Sequence, residues 1–516
     1  MSNGRKLDPV TLSVLASALA GIAEEMGAVL IRGAYSSNIK ERRDCSAALF
    51  DGRGRMVAQA EHIPVHLGAM PEAVAAVMER DPEPGDVFAI NDPYSGGTHL
   101  PDITLVSPVA HEGEIIGYAV TRAHHSDVGG MRPGSMPSDS REIYQEGVVV
   151  PPVRLVRGGE YVQDVLDLLL ANVRTPDIRR GDLRAQIAAN NIAEERVGEL
   201  IKRRDKETVL AAFDETISYA ERRTREAIRE LPDGEYTAED YVEGDGTTDE
   251  DILIKATLKI EDDSMTIDFA GTSDAVQGNV NCPLPVTRSA CYFALRVLLP
   301  KDIPANAGTY APLEIKAPEG SLVNAKSPSA VVAGNVETSN RIADAVLATF
   351  SEFAPEGLPA QGQGTMNNTI IGGPGWTYYE TIGGGQGASE RGPGPSGVHV
   401  GMSNTLNTPT EAFEMEYPMR VERYELLYDS GGAGKNRGGD GIVRSVRSLE
   451  PASLSLLADR RRHPPRGVEG GEPGAVGENL LNDEELPPKV SRELEEGDVV
   501  TVKTPGGGGY GRSTED

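Results

Sequence analysis

Cysteine is scarce in this chain. Cys45, Cys282 and Cys291 are the only three, odd in number, scattered, and without a CxxC pair. That excludes a disulfide framework, and the thiols are expected to be buried and inert. Lysine is scarce too: 12 of the 50 basic residues, against 79 acids, for a formal charge of -29. Nucleic acid and anionic membrane surfaces are therefore excluded as partners, since both would be repelled. Long apolar runs are few; a stretch such as Val165 to Ala171 is short and broken by Asp167, so no membrane span is expected. The opening MSNGRKLDPV has no apolar core of a secretory signal, and a cytoplasmic protein is expected.

Several catalytic signatures are absent as well. There is no GxxxxGK[ST]; the nearest string, SGGAGKNRGG, has Asn436 after Lys435 and the wrong glycine spacing. There is no HExxH and no GxSxG. The chain has no phosphate-binding loop of its own, so an enzyme built from it is either self-sufficient or takes an activated substrate from a partner.

What remains is a globular composition, 39% hydrophobic, with a mean hydropathy of -0.33. Asp8 and Pro9 open a long helical pattern through Leu12, Leu15, Leu19, Ile22, Met26 and Leu30. Helical patterns recur over 161–173, 176–202 and 206–229, then over 286–299 and 335–353. Strand-like runs follow LPDGEY, and the end is β-rich. The alternation is too irregular for a doubly wound sheet. The fold class read from it is α+β, a large interwoven multi-layer body with a metal-bearing β-hairpin and a β-rich C-terminal part. Three regions are expected: 1–235, N-terminal and bearing the hairpin; 236–420, central and glycine-rich; 421–516, C-terminal and β-rich.

Of eight histidines, four fall between His99 and His125. His99 and Asp102 stand in GGTHLPDI, His124 and His125 in RAHHSD, and the runs between them form a hairpin around HEGE. A five-residue loop sets Asp102 opposite His124, at a Cα separation of roughly 4.5–5.5 Å. A one-residue slip would turn one of the pair to the other face. Two imidazoles and a carboxylate at one sheet end suit a divalent metal with ligands about 2.0–2.2 Å away and one position open. His111, in the turn, is expected to be solvated. His125 points away from His124, so it is expected to serve as an auxiliary or substrate-facing group, and Asp127 to orient a ligand imidazole. His62 and His66 flank Pro64 and are expected to be structural. Asp44 is read as an inward carboxylate, whereas Arg42 and Arg43 read as a solvated charge run. Glu337, Asn340 and Glu380 are further pocket candidates. The glycines of SGGTHLPD and ETIGGGQG are expected to let backbone approach a small ring.

The strings SSNIKERRDCSAALFDGRGRMVAQAEHIPVHLGAMPEAV, GDVFAINDPYSGGTHLPDITLVSPV, AHHSDVGGMRPGSMP, AGNVETSNRIADAV, GVHVGMSNTLNTPTEAFE and the closing TPGGGGYG resemble the hydantoinase B/oxoprolinase family. The matching strings run in order from about residue 8 to 511. The resemblance implies the B subunit of an ATP-dependent hydantoinase or 5-oxoprolinase. In that scheme a separate, A-type ATP-binding subunit phosphorylates the amide oxygen of a cyclic amide (hydantoin, N-methylhydantoin, 5-oxoproline or a lactam). The B subunit then opens the ring with water, in an A2B2 hetero-oligomer. The acetone carboxylase large subunit is similar and carries a metal through His-x-x-Asp and a later His, which His99, Asp102 and His124 match; in related lactam-opening enzymes an upstream Asp joins it, and Asp44 is the matching position. Zinc or manganese is the implied metal, with His125 or Asp127 assisting proton transfer. Three rivals stand beside this reading: carboxylation of a phosphorylated enol, a non-catalytic scaffold for the A subunit, and a self-sufficient metallohydrolase.

Overall fold

The structure is a computed structural model that describes residues 7–61, 63–66, 68–354 and 357–513. It is built on a seven-stranded antiparallel sheet: β1 (Cys45–Asp51), β2 (Met56–Glu61), β3 (Val87–Ile90), β4 (Asp102–His111), β5 (Glu114–His124), β6 (Val153–Arg157) and β7 (Glu160–Tyr161), in the order β2-β1-β5-β4-β3-β6-β7. Its central strands are buried on both faces, and the sequence alternates accordingly. Odd-numbered Cys45, Ala47, Leu49, Ala119 and Ala123 pack beneath the helices Pro9–Gly33, Pro176–Arg204 and Lys206–Arg229. Even-numbered Ala48, Phe50, Val106, Tyr118 and Val120 face the central part of the chain. Strand residues on one face recur every second position, so each face meets its own core.

The Pro9–Gly33 helix starts where Asp8 accepts the amide protons of Val10 and Thr11. Among the described residues it is the one helix long and apolar enough to cross a membrane by length and composition, a feature the sequence reading passed over. Its Leu15, Leu19, Ile22, Met26 and Leu30 are buried, packed on the Pro176–Arg204 helix and the first two strands.

A second sheet, Leu313–Lys316, Ser264–Asp268, Asp251–Glu261 and Gly234–Glu243 in spatial order, packs on the helix Ser339–Ser351, which packs in turn on the helix Leu284–Leu298. A third joins Trp376–Glu380 and Asn368–Gly373 to Ala452–Leu457 and Lys489–Leu494. Strands from both sides of the expected boundary at 420 therefore share one ladder, and the central and C-terminal regions are not separate bodies. The glycine-rich segments pack backbone on backbone. A Cβ on Gly385 would stand 2.0 Å from the Gly439 oxygen, and one on Gly438 2.0 Å from the Gly507 oxygen. In the N-terminal region a Cβ on Gly97 would stand 2.2 Å from the Asn91 oxygen. The glycines expected to admit a ring thus admit neighbouring chain instead. The three cysteines are free and buried.

Candidate metal centre

The hairpin sets the site. Glu112 and Gly113, both at positive φ, make a two-residue turn that pairs His111 with Glu114. Such a turn alone would pair Asp102 with Ala123. A bulge beyond Val109 leaves Ile116 unpaired on β5, and from there Val109 meets Gly117 and Asp102 meets His124. Gly117 permits this: a Cβ there would lie 2.3 Å from the Phe50 oxygen of β1. The expected pairing is present, but a tight turn plus a bulge produces it, not a five-residue loop.

At the end of this ladder three donor atoms converge. His99 Nε2 lies 3.1 Å from Asp102 Oδ1 and 3.2 Å from His124 Nδ1, which is itself 3.4 Å from Asp102 Oδ1. All three residues are buried. A tetrahedral centre with bonds of about 2.1 Å sets its ligand atoms about 3.4 Å apart, and an octahedral one about 3.0 Å, so the trio fits a divalent metal. Asn335 Nδ2 lies 3.2 Å from His99 Nδ1, and with Nδ1 engaged there Nε2 faces Asp102 and His124. Thr98 Oγ1 donates to Asp102 Oδ2 at 2.5 Å and so leaves Oδ1 to the cluster. His124 stacks on Tyr379 at 4.3 Å, and its Nε2 is buried without a partner among the described residues.

Electrostatics bind the trio together. Burial opposes charge on His99, but Asp102 beside it prevails and raises its pKa. Burial would raise the Asp102 carboxyl, yet His99 and the hydrogen bonds from His124 and His66 hold it well below the usual range. Burial lowers His124. The cavity at the trio is about 20 Å³, room for about one water or ion.

Other expected residues fall variously. Asp44 lines the same cavity, with Oδ2 4.0 Å from His124 Nδ1, just outside the tight trio. His66, expected to be structural, belongs to the site: Nε2 lies 3.6 Å from Asp102 Oδ2 and Nδ1 2.9 Å from Ser46 Oγ. The turn at Pro64–His66 carries it there, and only the short spacing from His62 hinted at it; His62 lies outside the described residues. His125 is on the opposite side of the sheet, its Nε2 2.9 Å from Gln186 Oε1 and its pKa pushed down to about 4 by burial and Arg179. Among the described residues Asp127 pairs with no imidazole. It accepts from the backbone of Gly129, Gly134 and Arg174 and from the Arg174 side chain, fixing a loop. Strand alternation sends His125 toward the helices and the turn beyond carries Asp127 away, so neither reaches the trio.

Arg42 is fully buried instead of solvated, while Arg43 is exposed. Glu380 pairs with buried Arg444 at 3.0 Å. Asn340 accepts from the Met402 amide. Glu337 accepts from Asn368 Nδ2, and Asn368 Oδ1 accepts from the Tyr379 hydroxyl, which ties it to the ring under His124.

The profile of hydantoinase B/oxoprolinase matches residues 8–513. A Methanocaldococcus jannaschii protein of uncharacterized function is 44% identical over 99% of this chain and 92% of its own. The 5-oxoprolinase 1 of Arabidopsis thaliana is 39% identical over 98% of this chain, which spans 42% of that longer protein. A protein of a Pseudomonas species assigned as the B component of a D-/L-hydantoinase is 35% identical over 99% of this chain and 91% of its own. Among solved structures, an ATP-dependent caprolactamase from Pseudomonas jessenii superposes with a TM-score of 0.92 at 30% identity, covering 99% of this chain and 93% of that one. An acetone carboxylase shares the fold at 0.89 and 19% identity, over 99% and 77%.

Proposed function

The chain belongs to the hydantoinase B/oxoprolinase family, and on that premise we propose that it is the ring-opening half of an ATP-dependent cyclic-amide hydrolase. The observation that carries this reading is the trio of His99, Asp102 and His124, with donor atoms spaced as ligands of one divalent metal. Zinc or manganese is the proposed ion, with Asp44 as a further ligand on modest movement. When bound, the ion supplies Lewis acidity, polarising an oxygen and making water nucleophilic near neutral pH.

The residues divide the remaining work. Thr98 and His66 hold Asp102, and Asn335 holds His99, so that three donors stay aimed at one point. His124 Nε2, buried and without a partner among the described residues, is available there to donate a proton. His125 and Asp127 act at a distance, the first by anchoring the sheet end to the Pro176–Arg204 helix, the second by fixing the loop after β5. A ring substrate is several times larger than the cavity at the trio, so its entry requires the walls to part. ATP is assigned to an A-type partner in an A2B2 complex. That fits the lack of a phosphate loop here and the greater length of the 5-oxoprolinase relative. A cytoplasmic setting fits the three free, buried cysteines.

The test is co-purification with a partner chain followed by an ATP-dependent screen of cyclic amides. Ring opening that needs both chains, ATP and an intact Asp102 supports the reading. Full activity from a metal-free Asp102→Asn preparation overturns it.

A further inference from the structure

Arg42 is 0% exposed, and its guanidinium lies over the Tyr379 ring, 4.7 Å from the centroid. Other fully buried arginines meet carboxylates: Arg179 with Asp182, Arg341 with Asp344, Arg460 with Asp240 and Asp344. Among the described residues no carboxylate lies at ion-pair distance from Arg42. Arg122 lacks one too, but the nearby Asp102 supplies an opposing charge. Burying a guanidinium unpaired is strongly destabilising unless something compensates.

The hydrogen bonds of Arg42 indicate what does. Nη1 donates to the Tyr379 carbonyl at 2.8 Å, Nη2 to Thr381 Oγ1 at 2.8 Å and more weakly to Thr405 Oγ1 at 3.4 Å, and Nε donates to nothing. Thr381 and Thr405 both line the cavity that holds His99, Asp102 and His124, and their hydroxyls are 2.6 Å apart. Each hydroxyl accepts from the guanidinium. One donates to the other, so one proton remains, shared at most with His399 Nε2 3.4 Å from Thr405. A hydroxyl that accepts from a cation becomes a stronger donor. The cavity therefore has a wall of two hydroxyls backed by a buried positive charge.

We propose that this wall recognises negatively charged oxygens on the substrate: Thr381 and Thr405 as the binding residues, Arg42 as the positioning residue behind them. The inference rests on the cyclic-amide reading and narrows it to rings that carry anionic oxygen. That oxygen belongs either to a ring carboxylate or to a phosphoryl group placed on the amide oxygen.

The test measures binding to the purified, metal-loaded chain by calorimetry with three probes: 5-oxoproline, 2-pyrrolidinone (the same ring without its carboxylate) and inorganic phosphate. Thr381→Val with Thr405→Val is expected to weaken binding of at least one anionic probe tenfold or more and to leave 2-pyrrolidinone unchanged. Loss for 5-oxoproline alone assigns the wall to a ring carboxylate; loss for phosphate assigns it to the phosphoryl group. Arg42→Lys is expected to retain part of the selectivity that Arg42→Met loses. Because Arg42→Met is the variant most prone to unfold, the two valine substitutions carry the decision. Unchanged anion affinity in the folded double variant, equal loss for the neutral ring, or no anion binding by the native chain overturns the proposal. Metal content and ATP-dependent ring opening, measured on the same preparations with the partner, separate the two readings. If both persist while anion selectivity does not move, only the anion wall fails. If both are missing, the cyclic-amide reading fails.

Discussion

Asp102 and His124 face each other across β4 and β5 as a registered pair, Oδ1 to Nδ1 3.4 Å apart. The purified chain is therefore expected to hold close to one divalent ion. His99→Ala or His124→Ala should abolish retention in elemental analysis, because a site with three tight donors does not survive on two. A native preparation made without chelator that contains no metal would count against the site.

In the assembled enzyme, Asp102→Asn and His124→Ala are expected to lower ring opening by about two or more orders of magnitude while ATP consumption on the partner continues. Phosphate release without product is the signature. If phosphate and product fall together with the folded fraction in thermal unfolding, the residues serve stability and not chemistry.

His66→Ala is expected to weaken metal affinity by about 10–100-fold, the usual effect of removing a group that orients a ligand. His66 Nε2, 3.6 Å from Asp102 Oδ2, is what would be lost. Competition with a fluorescent chelator measures it, and wild-type affinity would remove His66 from the site.

His125→Ala is expected to act on stability alone. It leaves Gln186 without its 2.9 Å partner, a loss of roughly 1–3 kcal/mol, with turnover per folded molecule near that of the native enzyme. A drop in turnover without a drop in stability would return His125 to the chemistry.

Glu337 gives the pH dependence. Burial, reinforced by Asp459, moves its pKa from an ordinary 4.5 up to about 8. Between those values the folded state keeps a proton that the unfolded chain has released, so stability falls as pH rises through the window. Glu337→Gln, which cannot titrate, is expected to flatten that fall by roughly 1–3 kcal/mol in urea unfolding series. An unchanged slope would show that Glu337 is ionised when folded.

Much of this was legible in the sequence because it is local. The Asp8 cap, the 206–229 helix and the clustering of His99, Asp102 and His124 around one hairpin follow from periodicity, capping and turn residues. The tertiary structure decided the rest. A two-residue turn would have paired Asp102 with Ala123; the bulge at Ile116, made possible where Gly117 passes the Phe50 carbonyl, restored His124 as its partner. His66 reached Asp102, and Arg42 left the surface for the back of Thr381 and Thr405, through contacts between segments up to 363 residues apart. The third sheet likewise joined strands from both sides of residue 420. Side-chain periodicity fixes which face a residue takes within its own element, but which distant segment covers that face is set only when the layers pack and every buried donor, acceptor and charge has to find its partner.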